Sequence, residues 1–505
     1  MGGNCCKRLL TWTELMHRIT ELKAALKHNF GHAEFRGDQE AVLLSVLAGR
    51  SALVLMPTGM GKSICYQLPS LILDGLTVVI SPLIALMQDQ VDKAKVHGLS
   101  ATYLSSTLSR EEREQRYQKI GRGDFQMIYV TPERFRKPEF LAVLETRKIA
   151  LLAVDEAHCI SQWGHDFRPD YSRLGEFRKF LGSPVTLALT ATATEAVQKD
   201  ILRELQIADA PIFSSGIERP NLALQVHDVY GLDEKIRGLV GLRHLVPGAG
   251  IIYFSLIQTL YKVSAELARL GIRHLIYHGQ LQAADRKRNQ RLFLEGSGDL
   301  ILATPAFGLG IDKKDVRLLA HAEPPSSIEA YYQEVGRAGR DGLPSECHLF
   351  YDQEDVSIQM EFIKWANPEP DFVLKVFRLI ASGGPGLADE GMDYLRAQMN
   401  FYNKRDFRVE TSLNLLERWG CLKPENSRLG FSALQEPTVE QLDPEAVKAR
   451  LVTQNQKLLD MVRLAQMTEG CRMQTIYQYF GHPHSQTCGK CDLCLNSQPP
   501  SNEES

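Results

Sequence analysis

Nothing in the 505-residue chain is apolar for long enough to cross a bilayer, which takes roughly 18 to 20 consecutive residues. The amino terminus also lacks the charged, apolar and small-residue succession of an export signal. Met1-Gly-Gly-Asn-Cys-Cys6 approaches an acylation signal but carries Cys6 where serine or threonine is wanted, so it is expected to be a disordered start. Together these absences predict a cytoplasmic protein, neither secreted nor membrane-bound. Excess charge of one sign is missing too: 58 basic residues meet 61 acidic ones, for a formal charge of −3. Many nucleic-acid-binding domains are strongly basic, so any grip on a polyanion here has to be local. The densest basic cluster, Arg286-Lys-Arg288 with Arg291, sits near Asp285 and reads as a solvated helix face. Low-complexity sequence is confined to the polar tail Ser497–Ser505, also expected to be disordered.

What is present has the composition of soluble globular protein, with 44% hydrophobic residues and a length that suits about three or four domains. Short apolar runs alternate with helical patterns in two series. The first holds Leu53–Met56, Thr77–Ile80, Met127–Val130, Leu151–Val154 and Val185–Leu189. The second follows Arg219-Pro-Asn221 and holds Gly250–Phe254, His274–Tyr277, Leu300–Ala303, Val316–Ala320 and His348–Tyr351. Strand and helix in alternation predict two consecutive α/β domains, each around a mostly parallel sheet.

Within the first series, Met56-Pro-Thr-Gly-Met-Gly-Lys-Ser63 lies between a strand and a predicted helix from Ile64 to Leu73. Gly59 and Gly61 let the backbone turn tightly and aim N–H groups at phosphate oxygens. Lys62 can reach the β and γ phosphates, and the Ser63 hydroxyl can ligate Mg²⁺. Met56 departs from the usual glycine at the first position, and a glycine turn holding no nucleotide is the alternative. Asp155 and Glu156 emerge at the carboxyl end of another run, where ligands bind in open α/β sheets. There Asp155 can hold Mg²⁺ through water and Glu156 can orient and deprotonate an attacking water. Arg337 and Arg340, three residues apart and on one face if helical, offer positive charge for the transferred phosphoryl group. Beyond the carboxylates, Trp163 and Phe167 are interleaved with Gly164, His165, Asp166 and Pro169. That pattern predicts an exposed loop whose rings stack on bases without regard to sequence, with core packing as the alternative.

These motifs, in order over residues 22–365, resemble the RecQ family of superfamily 2 DNA helicases. Phe30 to Gln39 resembles the family's nucleotide-recognition element, which implies that Gln39 reads the adenine edge with Arg36 assisting. Ser81-Pro-Leu83, Thr131-Pro-Glu133, Leu189-Thr-Ala-Thr192 and Ala303–Asp312 resemble its DNA-gripping and coupling motifs, although Pro305 and Leu309 depart from the usual pattern. The resemblance implies an ATP site built from Arg36, Gln39, Thr58, Gly59, Gly61, Lys62, Ser63, Gly310, Asp312 and Gln333. It implies that Trp163, Phe167 and Arg168 sense single-stranded DNA, that His158 passes the signal to the ATP site, and that Thr190 and Thr192 belong to the coupling path. The activity implied is 3′ to 5′ translocation on single-stranded DNA, with forked or junction DNA as further substrates, in repair or recombination. Association with the nucleoid is expected if the source is bacterial. An RNA helicase would share the hydrolytic residues, and a zinc-dependent DNA-binding scaffold without turnover is the non-enzymatic alternative.

Ten cysteines in an intracellular chain do not argue disulfides. Cys488, Cys491 and Cys494 recur at short intervals, with Cys471 upstream, and four thiolates so grouped suit tetrahedral Zn²⁺. An iron–sulfur cluster competes on ligand chemistry, and His482 and His484 are rival ligands. The resemblance favours zinc and four cysteines. Cys5, Cys6, Cys65, Cys159, Cys347 and Cys421 are expected to be free thiols.

The expected organisation is an extension over 1–21, RecA-like domains over 22–215 and 216–365, a helical or winged-helix-like insert over 366–465, a zinc subdomain over 466–496 and a tail over 497–505. In the insert, Val409–Arg418 has helical spacing, Gly420 stops it, and Leu422–Lys423 and Leu429–Phe431 flank a polar turn. A helical spacer is the equal alternative. The chain ends soon after Cys494, so the domains that follow zinc in longer relatives are expected to be missing.

Overall fold

The computed structural model describes residues 12–57, 59–82, 84–105, 108–161, 170–308, 313–400, 406–425, 427–482 and 486–497. Both series of apolar runs form sheets. The first contains β1 (Ala52–Leu55), β2 (Leu76–Ile80), β3 (Ala101–Leu104), β4 (Met127–Val130), β5 (Ile149–Val154), β6 (Val185–Thr190) and β7 (Ile212–Ser214). Their spatial order is β3-β4-β2-β5-β6-β1-β7, and every pairing is parallel. A parallel sheet joined by crossover helices is covered on both faces, which is why these strands are almost wholly apolar. Alternate residues supply two separate cores. Leu53, Leu55, Val78, Ile80, Leu152 and Val154 pack on one face, and Val54, Val79, Ala153 and Leu187 on the other.

The second sheet contains β8 (Leu222–Asp228), β9 (Ala249–Tyr253), β10 (Leu275–Tyr277), β11 (Leu300–Ala303), β12 (Val316–His321) and β13 (Ser345–Tyr351), in the order β10-β11-β9-β12-β13-β8. Its core strands β10, β11, β9, β12 and β13 pair in parallel. Three strands, β3, β7 and β8, were not expected from apolar runs. Each lies at a sheet edge; partial burial of β8 permits polar residues such as Gln225, and β3 is short and interrupted by the polar Thr102, which shortens the apolar signal.

Two helical expectations are corrected. The helix after the glycine loop runs only from Ile64 to Gln67, and a separate tight turn follows at Pro69–Leu71. Pro69 has no N–H to continue the ladder, so the predicted span to Leu73 is broken. Likewise Arg337 and Arg340 are not helical: the helix Ile328–Val335 stops before them, and residues 336–340 form turns. Gly336 and Gly339, the latter at φ +54°, account for the stop.

The chain divides into two compact units. One takes in the described residues up to Ala322, Glu329–Phe350 and those from Met467 on, so it holds both parallel sheets and the clustered cysteines. The other comprises Glu323–Ile328 and Tyr351–Gln466. In it, helices Pro370–Ser382 and Arg408–Arg418 present Val373, Val376, Phe377 and Ile380, and Val409, Leu413 and Leu416, to a shared core. These are stripes at the i, i+3, i+4, i+7 spacing of amphipathic helices. The second helix ends at Gly420, φ +72°, and an antiparallel hairpin of β14 (Leu422–Pro424) and β15 (Phe431–Ala433) follows. Among the described residues no helix is long and apolar enough to cross a membrane.

Candidate active site

Strands β5, β6 and β1 are neighbours, so their carboxyl ends bring three chain segments together. The loop Pro57–Ser63 leaves β1, Thr190 ends β6, and Asp155 follows β5. Backbone bonds lock them in place: Met56 N–H donates to Thr190 O at 3.0 Å, and Asp155 N–H to Ile80 O at 2.8 Å. Gly59 and Gly61 adopt φ of +88° and +85°, conformations open to glycine and costly for other residues. Thr58 lies outside the described residues. The Lys62 ammonium is buried with no hydrogen-bond partner. A buried, unpaired cation is expensive unless an anion meets it, so the loop fits a phosphate group.

Gln39 is buried, and its side chain is committed to this loop. Its amide Nε2 donates to Met60 O at 3.0 Å and Gly61 O at 3.2 Å, while Oε1 accepts the Arg36 backbone N–H at 2.9 Å. Gln39 thus braces the loop backbone directly, and the exposed Arg36 is tied to it through its backbone N–H.

Burial, and next the Glu156 charge, raise the Asp155 carboxyl to about 7 against the opposing pull of Lys62. A divalent cation would reverse that balance. Asp155 and the Ser63 hydroxyl are the hard oxygen donors that suit Mg²⁺. Glu156 sits at φ +48°, ψ +48°, a left-handed conformation costing of order 1–3 kcal/mol in a non-glycine residue and concentrated at functional sites. Its N–H donates to Asp155 Oδ1 at 3.1 Å. Two residues on, His158 Nδ1 lies 2.9 Å from Thr190 Oγ1 and 3.4 Å from Glu156 Oε2. Thr190 spends its only hydroxyl proton on Thr192 O at 3.1 Å, so His158 must carry the proton at Nδ1 and donate. Glu156, His158, Thr190 and Thr192 thus form one buried polar path from the carboxylates to the end of β6.

Arg340 reaches this site from the second sheet. A methyl group placed on Gly59 would lie 3.6 Å from Arg340 Cγ, which puts the arginine stem against the phosphate loop. Arg337 is buried, its Nε has no hydrogen-bond partner, and its guanidinium lies beside Gly308. Gln333 is half-buried on the last turn of Ile328–Val335. Gly310, Asp312, Trp163, Phe167 and Arg168 lie outside the described residues.

The four cysteines converge. The Sγ atoms of Cys471, Cys488, Cys491 and Cys494 all lie within 4.8 Å of one another. Cys488 N–H donates to Cys471 Sγ at 3.2 Å, and Cys491 N–H to Cys488 Sγ at 3.3 Å, contacts that favour thiolate over thiol. Gly489, φ +67°, makes the tight turn between ligands. Hydrogen bonding between Cys488 and Cys491 pulls the Cys491 thiol down and pushes that of Cys488 up. Four convergent sulfurs with one already biased to thiolate fit tetrahedral Zn²⁺. A buried bidentate pair, Arg472 to Asp492 at 2.7 Å for both contacts, ties the flanking helices together. His482 Nε2 instead lies 3.5 Å from Ser214 Oγ, and His484 is outside the described residues.

Residues 36–201 match the model for DEAD/DEAH box helicases, 234–342 that for the helicase conserved C-terminal domain, and 435–495 that for the RecQ zinc-binding region. A probable ATP-dependent DNA helicase RecS of Bacillus subtilis is 34% identical over 479 residues, covering 94% of this chain and 92% of that protein. The chain belongs to the RecQ family of superfamily 2 helicases. The ATP-dependent DNA helicase RecQ of Haemophilus influenzae is 40% identical over 376 residues, covering 73% of this chain but only 60% of that RecQ protein. The fold is shared with Saccharomyces cerevisiae Dbp5 solved with RNA and ADP BeF3, at TM-score 0.53 and 18% identity over 67% of this chain and 89% of that one.

Reading the motifs of a RecQ-family chain misses contacts that hold them. One is made by Gln39, which is expected at the adenine edge but whose hold on the loop carbonyls is not marked by the motif. Another is the buried His321–Glu334 pair, Nε2 to Oε2 2.7 Å, where the Glu334 carbonyl accepts the Arg337 N–H at 3.0 Å. Neither contact has a local sequence signal, because Gln39 meets loop carbonyls 21 and 22 residues away and His321 meets a helix residue only once β12 and that helix pack.

Proposed function

We propose that this chain is an ATP-driven DNA helicase that moves 3′ to 5′ along single-stranded DNA and acts on forked or junction DNA in repair or recombination. The observation that carries this reading is the placing of Arg340, from the second sheet, against Gly59 in the glycine loop of the first. Lys62 and the loop amides bind the β and γ phosphates, and Gln39 with Arg36 flanks the adenine side. Glu156 orients the attacking water and takes its proton at a carboxylate oxygen. Arg340, with Arg337, stabilises charge developing on the γ-phosphoryl oxygens. Mg²⁺ bound by Ser63 and Asp155 would neutralise phosphate charge. Gln333, Gly310 and Asp312 complete the nucleotide side. Trp163, Phe167 and Arg168 contact the strand, and His158, Thr190 and Thr192 carry its presence to Glu156. ATP binding favours the arginine-engaged arrangement and hydrolysis releases it, so the lobes step along the strand.

Strand displacement on duplexes with 3′ or 5′ single-stranded tails, in DNA and in RNA, tests this reading. It expects ATP-dependent displacement of 3′-tailed DNA. Displacement restricted to RNA, or to 5′ tails, would refute it.

A further inference from the structure

The segment that leaves β7 and enters β8 is short, and one of its side chains is buried under the arginine turn. Arg219 donates from Nη1 to Gly336 O at 2.9 Å and from Nη2 to Gly339 O at 3.0 Å, and also contacts Ala338 O. These carbonyls lie at and just beyond the carboxyl end of Ile328–Val335, where orphan carbonyls gather and the helix dipole is negative. A guanidinium fork is suited to several such acceptors at once. Two residues on, Asn221 Nδ2 donates to Gly339 O at 2.8 Å and Leu343 O at 2.9 Å. On the other side, the Arg219 backbone N–H donates to the Tyr477 hydroxyl at 3.1 Å. Tyr477 belongs to the helix that begins directly after Cys471.

We propose that Arg219 is the positioning residue of the arginine turn, fixing residues 336–339 so that Arg340 is held against the phosphate loop and Arg337 beside Gly308, with Tyr477 bracing Arg219 from the cysteine-bearing region. The Arg219 guanidinium is committed to backbone carbonyls of the turn, so it acts through the arginines that the turn carries. Its place in the connection between the two sheets means that lobe movement is felt at the turn through covalent chain as well as through packing. This inference rests on the helicase reading above, and it adds a residue that no motif marks.

The test is steady-state ATP turnover at saturating single-stranded DNA for the unaltered full-length protein, Arg219→Ala, Arg219→Lys, Arg340→Ala and the double variant Arg219→Ala/Arg340→Ala, with nucleotide affinity and melting temperature measured alongside. Arg219→Ala is expected to lose about tenfold or more in kcat, a fraction of what an arginine finger supplies, while KM for ATP stays within about twofold. The double variant should lose no more than Arg340→Ala alone, since one residue acts through the other. Arg219→Lys keeps the charge without the fork and should fall between, and it carries the test if Arg219→Ala does not fold. Unchanged kcat in a folded Arg219 variant, or losses that multiply in the double variant, would overturn the inference. No turnover in the unaltered protein would instead strike the helicase reading on which it stands.

Discussion

The stem of Arg340 lies against Gly59, with room for a methyl group on Gly59 only 3.6 Å from Arg340 Cγ. Two residues far apart in sequence thus meet at the place where phosphoryl charge would develop. The proposed finger role puts the contribution of Arg340 at the transition state rather than in ground-state binding, so Arg340→Ala should lower kcat for ATP hydrolysis by about a thousandfold or more. Nucleotide affinity, measured by fluorescent-analogue titration, should change little. A large loss of affinity with kcat preserved would place Arg340 in binding instead.

Acid should weaken the second lobe through His348. Its ring accepts at Nδ1 from His227 at 2.9 Å and donates from Nε2 to Glu346 at 3.1 Å, an arrangement that uses the neutral imidazole. Burial, and secondarily His227, hold its pKa down at about 3 from 6.5. Unfolding therefore takes up a proton between those values. Stability from this group is fully present above about pH 6.5 and falls by about 1.4 kcal/mol per pH unit below it, until about pH 3. Chemical denaturation between pH 7 and pH 5, within the range where both states are measurable, should show a shallower pH slope in His348→Gln. An identical slope would remove His348 as the cause.

The cysteine cluster should hold a single zinc ion. Native mass spectrometry of the full chain is expected to show that stoichiometry, and Cys491→Ser to lose the ion and lower the melting temperature. Removing a structural zinc removes folding free energy directly. A melting temperature insensitive to both Cys491→Ser and chelation would contradict a structural metal at these four sulfurs.

Trp163→Ala should separate fuel from track. Loss of a stacking face worth about 1–3 kcal/mol per base should blunt stimulation of ATP hydrolysis by single-stranded DNA while nucleotide binding stays as it was. Stimulation that survives intact would sink the coupling role of the segment after Ser161.

How legible all this was depends on the range of the interaction. The glycine loop, the Asp155-Glu156 pair and the four cysteines are local patterns whose chemistry needs those residue types at that spacing, and the structure brings each group together. The parallel sheets were readable from apolar runs because both faces are covered, whereas the edge strands β3, β7 and β8 left too short or too polar a trace. The broken helix at Pro69 and the turn at Gly336–Arg340 had visible signals, proline and glycine, that the apolar and charge spacing obscured. The role of Arg219, the loop contacts of Gln39 and the His321–Glu334 pair were illegible for another reason. Their partners are backbone carbonyls of turns and loops or a helix side chain, and only folding makes them neighbours.

The most direct measurement is ATP turnover with and without single-stranded DNA, in the unaltered protein and in Glu156→Gln. The carboxylate at Glu156, held in a left-handed conformation beside Asp155, is assigned the proton-accepting role that the amide cannot fill. Turnover strongly stimulated by DNA in the unaltered protein and abolished in Glu156→Gln, with nucleotide binding retained, is the expected result. Near-normal turnover in Glu156→Gln would contradict the account.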